Sequence, residues 1–365
     1  MEEVDLRLDP AEASDLCPLV APELLAERGW DRAFVTVMDD APAEGAVAVL
    51  GHEHGAEAGT GWHAQRVELQ LQSGKQSTQD AEGCARREGW IYVFGSQFGS
   101  KDGPLEAKRS WMARVREQDL ATAVLRGDRA PAQLARLRFS LHRAVNDALA
   151  AAQLELLPMG EATRDAYIDA TIRRGAAKDK RWSGRVRSAD HPINVEGAAF
   201  REDGRLLLGL RYPVTAEGQP LLVELEEPER LFEDPEHPPH CTAVWWLDGA
   251  GGRDAPVGVR ALHGEGRDRF HAVVGNLDSQ GKSVAVLADH HEGGRARSMH
   301  VSFELPLSAA GGPVMATIVH EFEDLRRVEG LAIADDGHAH YVVDREGEVA
   351  LRTLLLGEPA TTHAN

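Results

Sequence analysis

Glu-Gly-x-Ala occurs three times in the chain, as Glu82-Gly83-Cys84-Ala85, Glu196-Gly197-Ala198-Ala199 and Glu329-Gly330-Leu331-Ala332. The second and third copies agree over a longer stretch, Val195 to Leu208 and Val328 to Tyr341. Each runs through an Asp-Gly pair (Asp203-Gly204, Asp336-Gly337) into a β-rich segment. A unit repeated at a fixed interval cannot bury its apolar face alone and has to stack on its neighbours, so the repeat restricts the fold to a repeat architecture. Degenerate copies extend the series: Val259-Arg260-Ala261-Leu262 has Arg260 in the Glu position, and Ala13-Ser14-Asp15-Leu16 has Ser14 there. Along Ser14, Glu82, Glu196, Arg260 and Glu329 three steps are 64 to 69 residues long and one is 114.

The long step calls for an insertion. Between Asp119 and Arg187 the β pattern gives way to Leu134, Leu137, Leu141, Val145, Ala148 and Ala152, spaced as one face of a helix. Pro131 suits its first turn and Pro158 its stop, with a second helix over Glu161 to Arg173. Elsewhere each interval holds short strand-like runs between Gly, Pro and Asp turns. These include Arg205–Leu210, Pro220–Leu225, Ala243–Leu247, Phe270–Val274, Ser283–Leu287, His300–Leu305 and Met315–Phe322. After Glu329 there is room only for His340–Val343 and Val349–Leu355, so Val4–Leu8 is expected to close the last unit. The expectation is an all-β protein, a β-propeller of five long blades (six or seven if intervals hide further blades) with one α-helical insertion. The organisation is 1–118 propeller, 119–187 helical insertion and 188–365 propeller with ring closure. A parallel α/β sheet would need helical periodicity between most strands, and only one region has it.

With 365 residues, 42% of them hydrophobic, the chain can bury a large core. A formal net charge of −19 argues against nucleic acid and anionic membranes as partners, since both need a positive footprint. An unknown small molecule or protein is the expected partner. The first residues lack a signal-peptide pattern and no apolar run has the length of a membrane span, so a cytoplasmic location is expected. Cys17, Cys84 and Cys241 form no CxxC pair and support neither a disulfide framework nor a cysteine metal site.

If each Glu-Gly-x-Ala segment is an innermost strand, Glu82, Glu196 and Glu329 ring one mouth of a central channel, with Arg260 as a ligand-binding cation and Ser14 completing the circle. Converging carboxylates relieve their repulsion by binding a cation, pairing with Arg260, or holding a proton. An all-oxygen set suits Ca²⁺ or Mg²⁺, with Asn194 adding a carbonyl oxygen. Against this stands a purely structural reading: Gly for close approach, and Glu accepting backbone hydrogen bonds from a neighbouring blade. His52-Glu53-His54 and His338-Ala339-His340 each put two imidazoles on one strand face, without a third ligand at a telling spacing. The basic stretch from Arg173 to Arg187 reads as a solvated loop over an acidic surface. Gly95–Ser100 is glycine-rich but is not followed by a helix, and reads as a turn between strands and not as a phosphate loop.

The segments Asp80-Ala81-Glu82-Gly83, Gly89–Ser96, Val195–Arg211 and Val259–Leu262 resemble an uncharacterised bacterial propeller family, a domain of unknown function. More distantly, Glu-Gly-x-Ala followed by Asp-Gly-x-Leu is similar to phytase-like esterases and lactonase-type calcium propellers. In the latter an early Glu-Gly glutamate binds metal, which implies that role for Glu82, Glu196 or Glu329. Two functions follow as expectations: a ligand- or partner-binding propeller with an acidic channel mouth, or a Ca/Mg-dependent hydrolase of phosphate ester or lactone bonds.

Overall fold

A computed structural model of the chain describes residues 2–356 apart from 10, 11, 58, 72–76, 101, 102, 235, 236, 279–283, 308, 309, 324, 326 and 346. The described residues are mostly β-strand, arranged in five sheets built from consecutive antiparallel strands. Sheet I holds Leu16–Pro18, Trp30–Val37, Val47–Glu53 and Trp62–Val67; sheet II holds Ala81–Arg87, Trp90–Gly95, Trp111–Arg116 and Ala130–Arg136, with Leu69–Leu71 added parallel to the last at its edge. Sheet III holds Asn194–Phe200, Leu206–Tyr212, Leu221–Glu226 and His240–Asp248; sheet IV holds Gly258–Gly264, Arg269–Gly275, Met299–Glu304 and Thr317–Glu321. Sheet V holds Val328–Ile333, His338–Arg345, Glu348–Leu355 and, last in order, Glu2–Leu6. This N-terminal strand pairs antiparallel with Glu348–Leu355, Glu2 opposite Thr353 and Leu6 opposite Val349, as the shortage of strands after Glu329 predicts.

The sheets stack face to face in a cycle. In Leu206-Leu207-Leu208 the even residues face Tyr92, Phe94 and Met112 of sheet II, and Leu207 faces Phe270, Ala272 and Val274 of sheet IV. A strand covered on both faces has no polar side, so its sequence is an unbroken apolar run instead of an alternation. Separate cores also join sheets I and II, IV and V, and V and I. The first strands pack side by side in the same cyclic order, each against two others.

That side-by-side packing explains the repeated glycine. A Cβ on Gly197 would lie 2.8 Å from the backbone of Ala261 and Leu262, and one on Gly330 would lie 3.1 Å from the backbone of Ser14, Asp15 and Leu16. On Gly83 it would lie 3.0 Å from the Glu196 carbonyl oxygen. Gly197→Ala therefore forces two strand backbones apart and should cost about 1–3 kcal/mol, read as a lower urea midpoint at unchanged slope. A cost near zero would show that the first strands have room to separate.

The insertion departs from expectation in two places. Helix begins at Glu117–Arg126, inside sheet II, and Ala130–Arg136 is that sheet's fourth strand, with Leu134 opposite Ala113. Leu134 and Leu137 thus belong to a strand and a turn, and helix resumes only over Ser140–Ala151. Pro131 lies before the stretch paired with Trp111–Arg116 and opposite Gln70 of the short parallel edge strand Leu69–Leu71. Glu161–Thr163, a wide π turn and Ala170–Ala177 form the second helix. Val284–Asp289 is a helix where a strand over Ser283–Leu287 is predicted; Ser283 lies outside the described residues. A short apolar run has no periodicity to tell the two apart. Met315–Phe322 divides at Ala316: Gly312–Met315 adds to sheet III parallel to His240–Asp248, and Thr317–Glu321 completes sheet IV.

Candidate functional site

At each repeat the first strand carries one residue that its partner strand does not match. Ala81 and Gly83 oppose consecutive residues Gly95 and Phe94, leaving Glu82 as the extra residue of a β-bulge. The same irregularity isolates Glu196 between Val195 and Gly197, Arg260 between Val259 and Ala261, and Glu329 between Val328 and Gly330. A bulge breaks the strict in-out alternation and re-aims the side chain it carries. In sheet I the N–H of Ser14 donates to Val37 and that of Val37 donates to Asp15, while Leu16 pairs with Thr36. Ser14 and Asp15 thus share Val37 in the same two-against-one pattern, with Ser14 in the place of the extra residue: Asp15 and Leu16 meet Gly330 as Ala261 and Leu262 meet Gly197.

These side chains are buried and bonded to one another. Arg260 Nε donates to Glu329 Oε2 at 2.8 Å, its Nη2 also bonds Glu329, and Nε lies 3.4 Å from Glu196 Oε2. Glu196 Oε1 accepts from Arg211 Nη1 at 2.6 Å and from Asn194 Nδ2 at 2.9 Å. Ser14 Oγ donates to Glu82 at 3.2 Å, and Arg260 Nη1 donates to Asn276 at 3.3 Å. Asp15 accepts the backbone N–H groups of Leu16 at 2.9 Å and Cys84 at 3.0 Å, so it stitches sheet I to sheet II. The structural role foreseen for the glutamates thus falls to Asp15. Arg211 and Asn276 carry no repeat signal; the only trace of Arg211 in the sequence is a cation ending an otherwise apolar run.

The electrostatics follow from burial. Desolvation, then the charge of Arg211, draws the Arg260 guanidinium down to about 9, opposed by Glu196, Glu82 and Asp278; it stays a cation at neutral pH. Desolvation pushes Asp15 well above the usual carboxylate range, against its backbone donors and with the charge of Glu196. Of the predicted metal ligands, Glu196 and Glu329 are matched by guanidinium groups, which supply the positive charge a Ca²⁺ or Mg²⁺ ion would bring. Asn194 turns its amide N–H to Glu196, and its Oδ1 has no hydrogen-bond partner among the described residues; nor have Nε and Nη2 of Arg211. Among the described residues no group of three or more His, Cys, Asp or Glu is placed to hold a metal ion.

The helical insertion packs where the first strands of sheets II, III and IV begin. Phe139, Tyr167, Ile168 and Val186 share a core with Phe98, Tyr212 and Leu277, which lie at or just beyond the ends of the second strands of sheets II, III and IV. The Gly95–Ser100 turn is tied down here: Ser96 bonds Asp80, which also pairs with Arg109 at 2.7 Å. Beside this layer lies a cation-rich cavity of about 560 Å³. It brings Lys178, Lys180 and Arg181 against Lys108, Arg136 and Arg138 from sheet II and its turns. The basic stretch is therefore only partly a loop over acidic groups. Arg174 pairs with Glu106 at 2.6 Å and Arg187 with Asp147 at 3.3 Å, but the segment between them meets other cations.

The two His-x-His motifs meet across sheets I and V. His52, His338 and His340 line one cavity of about 220 Å³ with Trp62, whose ring centroid is 4.9 Å from His52 and 5.5 Å from His340. His52 Nδ1 is held by Asp31 at 2.9 Å and His340 Nδ1 by Thr353 at 3.0 Å, which fixes both rings. His54 does not line this cavity. The cysteines are free thiols, Cys17 and Cys84 buried and Cys241 partly so. No helix among the described residues is long and apolar enough to cross a membrane.

Fold and site together define a class: a mostly-β chain of five cyclically stacked sheets with a buried, arginine-paired carboxylate cluster at the bulges of the first strands. The chain matches no protein-family model and no curated protein. Among solved structures it is similar to a mannose phosphorylase from Leishmania mexicana, at 11% identity over 97% of this chain and 88% of that one, TM-score 0.41. It is similar also to the GH43 endo-arabinanase from Bacillus licheniformis, at 10% identity, 98% and 97% coverage and TM-score 0.43. A protein of unknown function from Dyadobacter fermentans aligns at 9% identity, 98% and 82% coverage and TM-score 0.39. Likenesses of this size carry no argument about activity.

Proposed function

We propose that the five sheets are the blades of a β-propeller and that the protein is a ligand-binding propeller whose axial charges are structural. The cyclic stacking and the N-terminal strand in the last sheet support the architecture. A single observation carries the functional reading: the axial carboxylates are buried and already met by Arg260, Arg211, Asn194 and Ser14. A carboxylate that has to polarise a substrate or hold a catalytic cation needs a coordination site facing solvent or ligand, and pairing with guanidinium removes it.

The test is metal-dependent stability and hydrolysis. Millimolar Ca²⁺ or Mg²⁺ should leave the Tm of the wild-type protein where an equal ionic strength of NaCl leaves it. Hydrolysis of p-nitrophenyl phosphate and of a simple lactone should not exceed the uncatalysed rate with either metal. A metal-induced rise in Tm that Glu196→Gln abolishes, together with turnover, would overturn this reading in favour of the hydrolase.

A further inference from the structure

The cavity beside the helical insertion is lined by seven Lys or Arg residues and two carboxylates in a chain of net charge −19. Such a concentration of like charge opposes folding unless something neutralises it. The protein itself does little of this. Glu106 is taken by Arg174 at 2.6 Å, and the side chains of Lys108, Arg138, Lys178, Lys180 and Arg181 form no ion pair among the described residues. Desolvation draws the Arg136 guanidinium below its usual range; Glu44 opposes this and the neighbouring charge of Arg138 adds to it.

The backbone is also built to present these groups. Arg138 and Phe139 both have left-handed φ, +46° and +66°, a conformation that costs non-glycine residues of order 1 kcal/mol or more each. The turn is held from several sides. Ser110 accepts the N–H of Leu137 on its carbonyl at 2.9 Å and the N–H of Phe139 on its hydroxyl at 2.9 Å. Arg185 donates to the carbonyls of Leu137 and Arg138 at 3.0 and 3.1 Å, and the Phe139 ring packs edge-on to Trp182 at 4.8 Å. The turn is thus held by several contacts, and Arg138 lines the cavity together with Arg181 and Trp182.

We propose that this cavity binds a small, multiply charged phosphate compound, a diphosphate or a phosphate ester. The volume is that of a small-molecule site, and separate guanidinium forks suit phosphate oxygens bidentately. A compact anion feels the local cations, because charges beyond about 8 Å are screened at physiological ionic strength. A nucleic-acid polymer would have to lie along the acidic remainder of the surface and is disfavoured. The proposal rests on the ligand-binding reading and names its ligand class.

Inorganic pyrophosphate is the probe, titrated calorimetrically and followed by Tm, with tricarballylate as a tricarboxylate control and NaCl at matched ionic strength. Pyrophosphate should raise Tm above the NaCl control and bind at least tenfold more tightly than tricarballylate. The Arg138→Gln/Arg181→Gln variant should have a ligand-free Tm no lower than the wild type, because neither side chain has an ion-pair partner among the described residues and two like charges are removed, and should bind pyrophosphate tenfold or more weakly. Absence of a Tm rise beyond NaCl, equal affinity for the tricarboxylate, or unchanged affinity in the double variant would each overturn the proposal. None of these bears on metal-dependent hydrolysis, so the failure of this site and the failure of the non-catalytic reading are read separately.

Discussion

Replacing Arg260 by methionine should destabilise the protein by about 3–5 kcal/mol, the cost of leaving one side of a buried ion pair uncompensated. Arg260 is 2% exposed, and its guanidinium touches two carboxylates, Glu329 and Glu196, themselves 8% and 3% exposed. Without it, two carboxylates from different sheets would face each other in the interior with only Arg211 and Asn194 beside Glu196. Domain stabilities are about 5–15 kcal/mol, so the variant should lose a large part of its folding free energy. Urea unfolding at pH 7 measures it, and Arg260→Met/Glu329→Gln should recover part of the loss because it removes one of the orphaned charges. A cost below about 1 kcal/mol would mean that water reaches these carboxylates, and the axis would return as a ligand site.

Acidification should have the next largest effect. Burial, and after it the charge of Arg32, draws the His340 imidazole down to about 3, with Asp336 opposing. Burial together with His271, His263 and His320 holds His300 well below its ordinary range. His300 sits in a chain: its Nδ1 is 2.8 Å from the Tyr341 hydroxyl, its Nε2 is 2.8 Å from His271 Nδ1, and His271 Nε2 is 3.0 Å from Glu265. Both imidazoles are neutral in the fold and protonate near pH 6.5 when unfolded. A depressed folded-state pKa contributes stability that is present above 6.5 and is lost as pH falls toward the folded value. His340 alone should remove about 2 kcal/mol between pH 7 and pH 5, at roughly 1.4 kcal/mol per pH unit below 6.5. His300 acts in the same direction. Asp15 acts oppositely, since its raised pKa makes its charged form costly at neutral pH and acid relieves that cost. The quantity to measure is the slope of unfolding free energy against pH, which His340→Gln should flatten by up to one proton. An unchanged slope would show that His340 titrates normally.

Much of the architecture was legible because its causes are local. Arg205–Leu210 reads as a strand, and the strand deficit after Glu329 points to the N-terminus as its closing partner. The helical segment was legible from Leu141 onward, where a single continuous helix sets the spacing. It was misread at Leu134, because an accidental three-four spacing spans a strand and a turn. At the bulges of the first strands Glu82, Glu196, Arg260 and Glu329 were found from repetition alone. Asp15, next to Ser14, carries no repeat signal, and only its bond to the Cys84 backbone in the neighbouring sheet shows its role.

The cavity cations and the His-x-His pairs mark the limit of such reading. Lys108, Arg138 and Arg181 lie in three separate segments, and nothing in their local sequence refers to one another. What the sequence by itself determined is the repeat, its β character, its insertion and its order around the ring, because hydrophobic periodicity and turn chemistry act between near neighbours. The tertiary structure alone decided that the repeated glutamates sit on bulges, that Arg260 and Arg211 meet them, and that a basic cavity forms beside an acidic protein's helical insertion. Those outcomes depend on contacts between residues tens to hundreds of positions apart, and the balance of burial against charge is settled only where such residues meet.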